Sequence, residues 1–485
     1  MTTPRPTVLL LLLTAIPACS DSTGPGPATR LAFEVQPAPV GGGLPFGPTI
    51  VVAVEDAAGR LVPDWPQDVT VTLERGAGSG ALGGPTSSTP VYGLAAFAGL
   101  TVSAPGKGYV LVAHSTGLPE ERSASFDVPE VFHAERVYAG EAHTCALDAD
   151  SVAWCWGAND HGQLGNGATQ DRPLPTLLPS ALHFASLSLG AQHSCGLTYA
   201  GAVYCWGAND SAQFGTGTTE DVLTPRAISL PGPALSLAAG HAHTCAVVQG
   251  GAARCWGYNV GGLLGTGSAD SGVFPPEPVV GGLSFASVTV GYNVSCALTP
   301  AGAAYCLGDN QEGAVGDSTL EDRTAPTPVA GGHTFRWIRS AGSHWHSKTC
   351  GLAADGKIYC WGRVYEGGDV RAPAVIPEDP GFESLVPGGR MICGITGAQA
   401  LYCWGRGALG NGVADDAAHS PVPVLAGHGI LSVAVSLSYT HPSHICLVTT
   451  EGETWCWGPS TSGQLGNPSN PAGWLVPVPV WAPEP

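Results

Sequence analysis

The sequence predicts an all-β protein, a small β-sandwich followed by seven repeated β units, and three observations carry that prediction. Among 485 residues there are 69 glycines and 42 prolines, a density of turn residues that suits many short strands and leaves little room for long helices. Residues 30–128 alternate apolar and polar side chains over short runs, as in Thr49–Val54 and Val69–Leu73, with Gly-rich turns between them. From residue 131 onward the chain repeats itself with a period close to fifty residues.

Composition narrows the function classes. A hydrophobic content of 44% is enough for packed cores, and charged residues make up only 12%. The formal net charge is −19, and residues 130–485 carry 13 basic against 28 acidic side chains. That part of the chain repels phosphate backbones, so no nucleic-acid partner is expected.

In chain order, residues 1–19 read as a targeting segment: Arg5, the apolar run Val8–Ile16, then Ile16-Pro17-Ala18-Cys19. A small residue before a lone cysteine resembles a bacterial lipoprotein signal, which implies that Cys19 is the lipidated first residue of the mature chain. Pro17 departs from that pattern and leaves plain secretion as the alternative. No other apolar stretch approaches the roughly 18 residues needed to cross a bilayer. The expectation is an exported protein at the cell envelope, anchored by lipid to the outer membrane or cell surface and meeting the membrane only there. Residues 20–29 form a polar Gly/Pro linker. Within residues 30–128, the runs Val51–Gly59, Val69–Leu73, Gly93–Phe97 and Gly108–Val112 resemble the immunoglobulin-like domains of bacterial surface proteins, without a cysteine pair.

Residues 131–485 hold seven units with a common core. It reads His143-Thr144-Cys145 with Trp154-Cys155-Trp156-Gly157, His193-Ser194-Cys195 with Tyr204-Cys205-Trp206-Gly207, and His243-Thr244-Cys245 with Arg254-Cys255-Trp256-Gly257. The pattern continues through Cys296 and Cys306, Cys350 and Cys360, Cys393 and Cys403, and Cys446 and Cys456. Most units add Gly162-Gln163-Leu164-Gly165 or a relative of it, and a Pro-x-Pro-Val run such as Pro326–Val329 or Pro421–Val424. Tryptophan-glycine follows the second cysteine in six units, and Leu307-Gly308 stands there in the fourth. This repeat resembles that of the regulator of chromosome condensation family, which implies a seven-bladed β-propeller over residues 131–485.

Fourteen cysteines in seven Cys-x9-Cys pairs, in a chain expected to be exported, imply local disulfides. The midpoint between Cys195 and Cys205 is Ala200, and Gly201 follows it, as Gly251, Gly302, Gly356 and Gly452 do in four other units. A glycine there suits a three-residue hairpin loop that sets the two cysteines opposite each other. Two thiolates on one hairpin supply only half a tetrahedral shell, so zinc is the weaker reading and no metal or cofactor is expected. His143, His193, His243 and His444 precede the first cysteine in four units, where Val294, Lys348 and Met391 stand in the others, and this position reads as structural packing. The repeated tryptophans read as core between units.

Recognition is expected where units differ, because shared residues build the scaffold. The loop Gly190–Cys195 becomes Gly342–Cys350 in unit five, three residues longer, and unit seven has the same added length in Ser438–Cys446. Loops at equivalent positions of a propeller emerge on one face. The candidate partner-binding residues are therefore His344, Trp345, His346, Tyr439 and His441, with Arg390 at the matching loop of unit six. Arg336 and Arg339 lead into the first enlarged loop, and Arg363 and Tyr365 stand where other units have Ala-Asn-Asp. Basic and aromatic side chains on an acidic ring suit a protein-binding hot spot. A metal site from His344, His346 and His441 is a weaker alternative, since no carboxylate partner sits nearby in sequence. No Ser/His/Asp set, phosphate loop or paired-carboxylate signature is present, so the expected function is a non-enzymatic binding module, monomeric, with a protein partner. Two alternatives stand behind it: guanine-nucleotide exchange or chromatin regulation, which the family resemblance implies, and a surface enzyme acting on polysaccharide.

Overall fold

A computed structural model describes residues 24–38, 41–42, 45–46, 48–342, 346–365, 368–376, 379–413, 416–437, 443–470 and 472–483. Every regular element among them is a strand. The chain divides into two compact units, Met1–Ala38 with Gly43–Asp127 and Pro39–Gly42 with Val128–Pro485.

In the first unit, Ala28–Val35, Ile50–Asp56 and Leu94–Phe97 form one antiparallel sheet. Phe126–Val128, Gly106–His114, Val69–Glu74 and Ser87–Ser88 follow one another in a second, where Glu121–Arg122 also pairs with Gly106–His114. The alternation predicted for Val69–Leu73 is seen directly: Val69 and Val71 are buried while Thr70 and Thr72 face out. Ile50, Val52, Phe97, Tyr109 and Leu111 supply a core with essentially no exposure. The Asp56 carboxylate pins the turn after its strand, accepting the Ala58 and Arg60 amides and pairing with the Arg60 guanidinium. Those bonds hold its pKa well below the usual carboxylate range.

The described residues of the second unit form seven four-stranded antiparallel sheets, each built from four strands in sequence order. The second sheet is typical: Phe184–Leu189, His193–Thr198, Val203–Gly207 and Val222–Ile228. Its cysteines occupy the middle pair of strands, and Cys195 lies directly opposite Cys205. All seven pairs, from Cys145–Cys155 to Cys446–Cys456, are joined within their own hairpins, with Cα atoms 4.1 Å apart. The hairpin loop is the expected one. Thr198 bonds Ala202 across residues 199–201, and Gly201 takes φ +79°. Ser151 and Gln399 hold the same left-handed position in the first and sixth sheets, at φ 62° and 61°, which costs roughly 1 kcal/mol that glycine avoids.

Neighbouring sheets are joined by the tryptophans. Trp206 is fully buried and packs with Leu147, Cys155, Leu164 and Leu178 of the first sheet's unit. Its indole Nε1 donates to the Gln163 carbonyl at 2.9 Å, and Trp256 uses the Gln213 carbonyl at 2.6 Å in the same way. This explains the Gly-Gln-Leu-Gly motif: a Cβ on Gly165, whose φ is +68°, would sit 2.8 Å from the Trp206 ring, so the segment must lie bare against the next tryptophan.

A second bond at the same seam involves the histidines. His143 Nε2 is 2.9 Å from the Ser194 hydroxyl, His193 meets Thr244 at 3.1 Å, and His243 meets Ser295 at 3.1 Å. Each hydroxyl donates its proton to a loop carbonyl of the preceding unit, Ser194 to Gln163 and Thr244 to Gln213. The hydroxyl must then accept from the imidazole, which fixes a neutral ring with the proton on Nε2. Among the described residues the unprotonated Nδ1 atoms of His143, His193 and His444 have no partner, in keeping with this tautomer. The packing role expected for these residues is thus a side-chain bond between sheets.

The same contacts close the ring. Trp156 Nε1 and the Thr144 hydroxyl both donate to the Gln464 carbonyl, and His444 Nε2 meets Thr144 at 2.9 Å. Phe132 gives its amide to Val480 and accepts from Thr454, so the chain entering the first sheet is bonded to the last. The first strands of the sheets line a central cavity of about 640 Å³.

Candidate functional site

His193 opens the second strand of its sheet and pairs with Gly207, which closes the third. The loop entering the second strand and the loop leaving the third therefore emerge at one end of each sheet. All seven sheets keep the disulfide beneath that rim, and the units differ in the side chains they place around it.

The fifth sheet departs most. Lys348 takes the histidine position and is fully buried, its Nζ donating to the Gly388 and Gly389 carbonyls of the next sheet at 3.2 and 3.0 Å. Burial pulls its pKa down to about 7, with the Glu312 carboxylate opposing the fall. Glu312, from the fourth sheet's outgoing loop, accepts the Ser347 amide at 2.7 Å and lies 3.8 Å from the Arg363 guanidinium. Its half-buried carboxyl is pushed up to about 7 by desolvation, against the pull of Ser347 and Arg363. Arg363 also pairs with Asp369 at 3.8 Å.

The backbone explains why this loop differs. In the first unit Asn159 staples its loop, donating to the Ala168 and Gln170 carbonyls and accepting from the Leu164 amide. Arg363-Val364-Tyr365 lacks that asparagine, and the two strands instead run on as Ile358–Tyr365 and Gly368–Val375, paired through Tyr365 and Gly368.

Of the residues expected from sequence, Arg363 is held in this network and Arg390 follows directly after the backbone that Lys348 binds. Lys348 binds the carbonyls that immediately precede the exposed Arg390, and Ser347 bridges to Glu312 and hence to Arg363. His346 is partly buried beside them in sequence. Arg336 is exposed on the strand Phe335–Ala341, whereas Arg339, three residues on, lines the central cavity. His344, Trp345, Tyr439 and His441 lie outside the described residues, as do Cys19 and the side chain of Tyr365.

Sequence reasoning missed a second cluster at the same rim. The rings of His241 and Tyr292 pack with centroids 4.1 Å apart and planes tilted by 32°, and with Tyr258, Asn293, Ser211 and Leu263 they border a cavity of about 390 Å³. The signal was present as substitution without change of length. The residue after the loop glycine runs Glu141, Ala191, His241, Tyr292, and the residue after Trp-Gly runs Ala158, Ala208, Tyr258. Packed aromatic rings and arginines at a rim equip it for recognition by aromatic contact and ion pairing.

Residues 150–197 and 200–247 match a model of the Regulator of chromosome condensation (RCC1) repeat, and residues 135–163 and 184–213 match a second model of the same repeat. No curated protein sequence matches the chain. Among solved structures, human WBSCR16 is similar with a TM-score of 0.60 at 20% identity, covering 68% of this chain and 94% of that one. Prp20p from Saccharomyces cerevisiae gives 0.54 at 24% identity, over 62% of this chain and 80% of that one. Yeast RCC1 (Prp20) bound to Kap60 gives 0.54 at 24% identity, over 61% and 77%. These likenesses show a β-propeller-type fold, and residues 135–247 of the chain carry repeats of the RCC1 type.

Proposed function

We propose that the chain is an exported, non-enzymatic protein-binding module: a monomeric seven-bladed β-propeller preceded by an immunoglobulin-like β-sandwich over residues 30–128, held at the cell envelope by lipid on Cys19. The observation that carries the reading is the division of labour within the repeat. The seams between sheets keep the disulfide in all seven units, tryptophan in six and the hydroxyl in five, while one rim carries Arg363, Arg390 and the His241–Tyr292 ring pair. The yeast structures supply precedent for protein partners, since they are described with Kap60 and with binding to Gsp1p and histones. Their low identity carries the fold and not those partners.

The main binding surface is the pair of enlarged loops in units five and seven together with Arg363 and Tyr365. Trp345→Ala and Tyr365→Ala are expected to leave the melting temperature unchanged while weakening the captured protein partner at least about thirtyfold, near 2 kcal/mol. Titration of that partner against both variants checks this. If both bind normally and substitutions in the Gly162–Gly165 type loops weaken binding instead, the surface lies elsewhere on the rim. The anchor has its own test. Cys19→Ala is expected to lose the lipid-dependent membrane fraction, and processing and partitioning identical to the parent would remove the lipoprotein part of the reading.

A further inference from the structure

The central cavity has a charge character opposite to the rest of the protein. The chain carries a net −19, yet among the described residues the only ionisable side chains lining this cavity of about 640 Å³ are Arg136, Tyr138 and Arg339. Among the described residues no carboxylate lines it. Arg136 is anchored from the first sheet, its Nη1 donating to the Ala185 carbonyl at 2.9 Å. The Tyr138 oxygen accepts from the Leu187 amide and from Arg136, while burial raises its pKa above that of an ordinary phenol. Arg339 belongs to the fifth sheet, and it interacts electrostatically with Tyr138 of the first. No hydrogen bond or ion pair holds the Arg339 side chain among the described residues. It is solvent-exposed within the cavity, and the surrounding walls still lower its pKa by desolvation. Two guanidiniums facing one cavity, with no carboxylate among its described lining residues, concentrate positive potential there.

The hydroxyls around these groups are oriented by the backbone. Ser188 accepts the Ala239 amide at 2.8 Å, Thr289 accepts Ser340 at 2.9 Å, and Ser432 accepts Val137 at 3.4 Å. Each hydroxyl that accepts in this way retains its own proton for donation.

We propose that this cavity is a binding site for a small oxyanion of the phosphate or carboxylate type, with Arg136 and Arg339 as its charged arms and Tyr138 and the wall hydroxyls as neutral donors. Guanidinium groups match such oxygens in both charge and planar geometry. The site is separate from the rim that carries the proposed protein partner.

The test is calorimetric titration of the full chain with inorganic phosphate and with tricarballylate at pH 7.5, against chloride at matched ionic strength. At least one oxyanion is expected to bind with a dissociation constant of about 1 mM or below and to raise the melting temperature. Whichever arm binds more tightly distinguishes phosphate from carboxylate. Arg339→Gln should fold, because the side chain it replaces is exposed and bears no hydrogen bond among the described residues, and should weaken binding at least about tenfold. Arg136→Gln is the second variant, and its binding should fall likewise. A thermal and calorimetric response equal to that of chloride, or undiminished binding in Arg339→Gln, overturns the proposal.

Discussion

Protein unfolded in denaturant and returned to buffer with reductant is expected not to refold, whereas the oxidised chain recovers. Each disulfide closes a hairpin with a sequence separation of 10 residues, for which loop entropy gives about 2.5 kcal/mol. Seven such terms sum to roughly 15–20 kcal/mol, more than the roughly 5–15 kcal/mol by which a typical domain is stable. Reductant alone acts slowly, because the sulfurs of all pairs are buried at 0–2% exposure and sheets must open before a thiolate can reach them. Tryptophan fluorescence follows the transition, since Trp156, Trp206, Trp256, Trp361 and Trp457 are fully buried. Alkylation and mass spectrometry count fourteen thiols released and place each link within its own unit. A reduced protein that refolds cooperatively with its melting temperature within a few degrees of the oxidised one contradicts this account, as does any link between units.

Mild acid is expected to destabilise the fold steeply. His143, His193 and His243 are fully buried, and desolvation drops their pKa from 6.5 to about 3, with His444 at about 4. The folded values lie below the unfolded one, so between about pH 6.5 and 4 the unfolded chain binds more protons than the native protein. Stability is therefore fully present above pH 6.5 and is lost as pH falls towards the folded pKa values. Each histidine contributes about 1.4 kcal/mol per pH unit across that window, and four together about 5 kcal/mol per unit. Glu312 opposes them. Its folded pKa is raised to about 7, so its carboxyl gains stability over the same descent, by less than one histidine because it is only half buried and paired with Arg363. Lys348 adds no slope below about pH 7, where it is protonated in both states. Urea unfolding at pH 7.5 and 5.0 measures the fall. His193→Val places in the second sheet what the fourth already carries as Val294, and it should remove about a quarter of the pH dependence. Equal stability at the two pH values, or an unchanged slope in His193→Val, excludes the histidine seam as its cause.

Much of the scaffold was legible because it repeats. Cys-x9-Cys with a glycine after its midpoint specifies a hairpin, and two cysteines facing across a hairpin have one near partner each. The Gly-Gln-Leu-Gly motif was visible without its reason, because the tryptophan that forbids a side chain at Gly165 comes from the next unit, 41 residues away. The rim was half legible. Inserted length drew attention to units five and seven, while His241, Tyr258 and Tyr292 changed residue type at constant length.

By itself the sequence determined an all-β chain, its two-part organisation, seven local cysteine pairs and tryptophans placed for a shared core, because those features depend on spacing within one repeat. Tertiary structure alone decided what lies between repeats. It turned the histidines into donors to a neighbour's hydroxyl, joined Glu312, Lys348 and Arg363 from two sheets, and brought the first strand's Arg136 into the cavity that Arg339 lines. Arg339 sits 203 residues from Arg136 along the chain, and only closure of the ring, through Phe132 and Gln464, makes them neighbours of one space. Position along a strand sets which way a side chain points, but the charge it meets there depends on every other sheet that faces the same cavity.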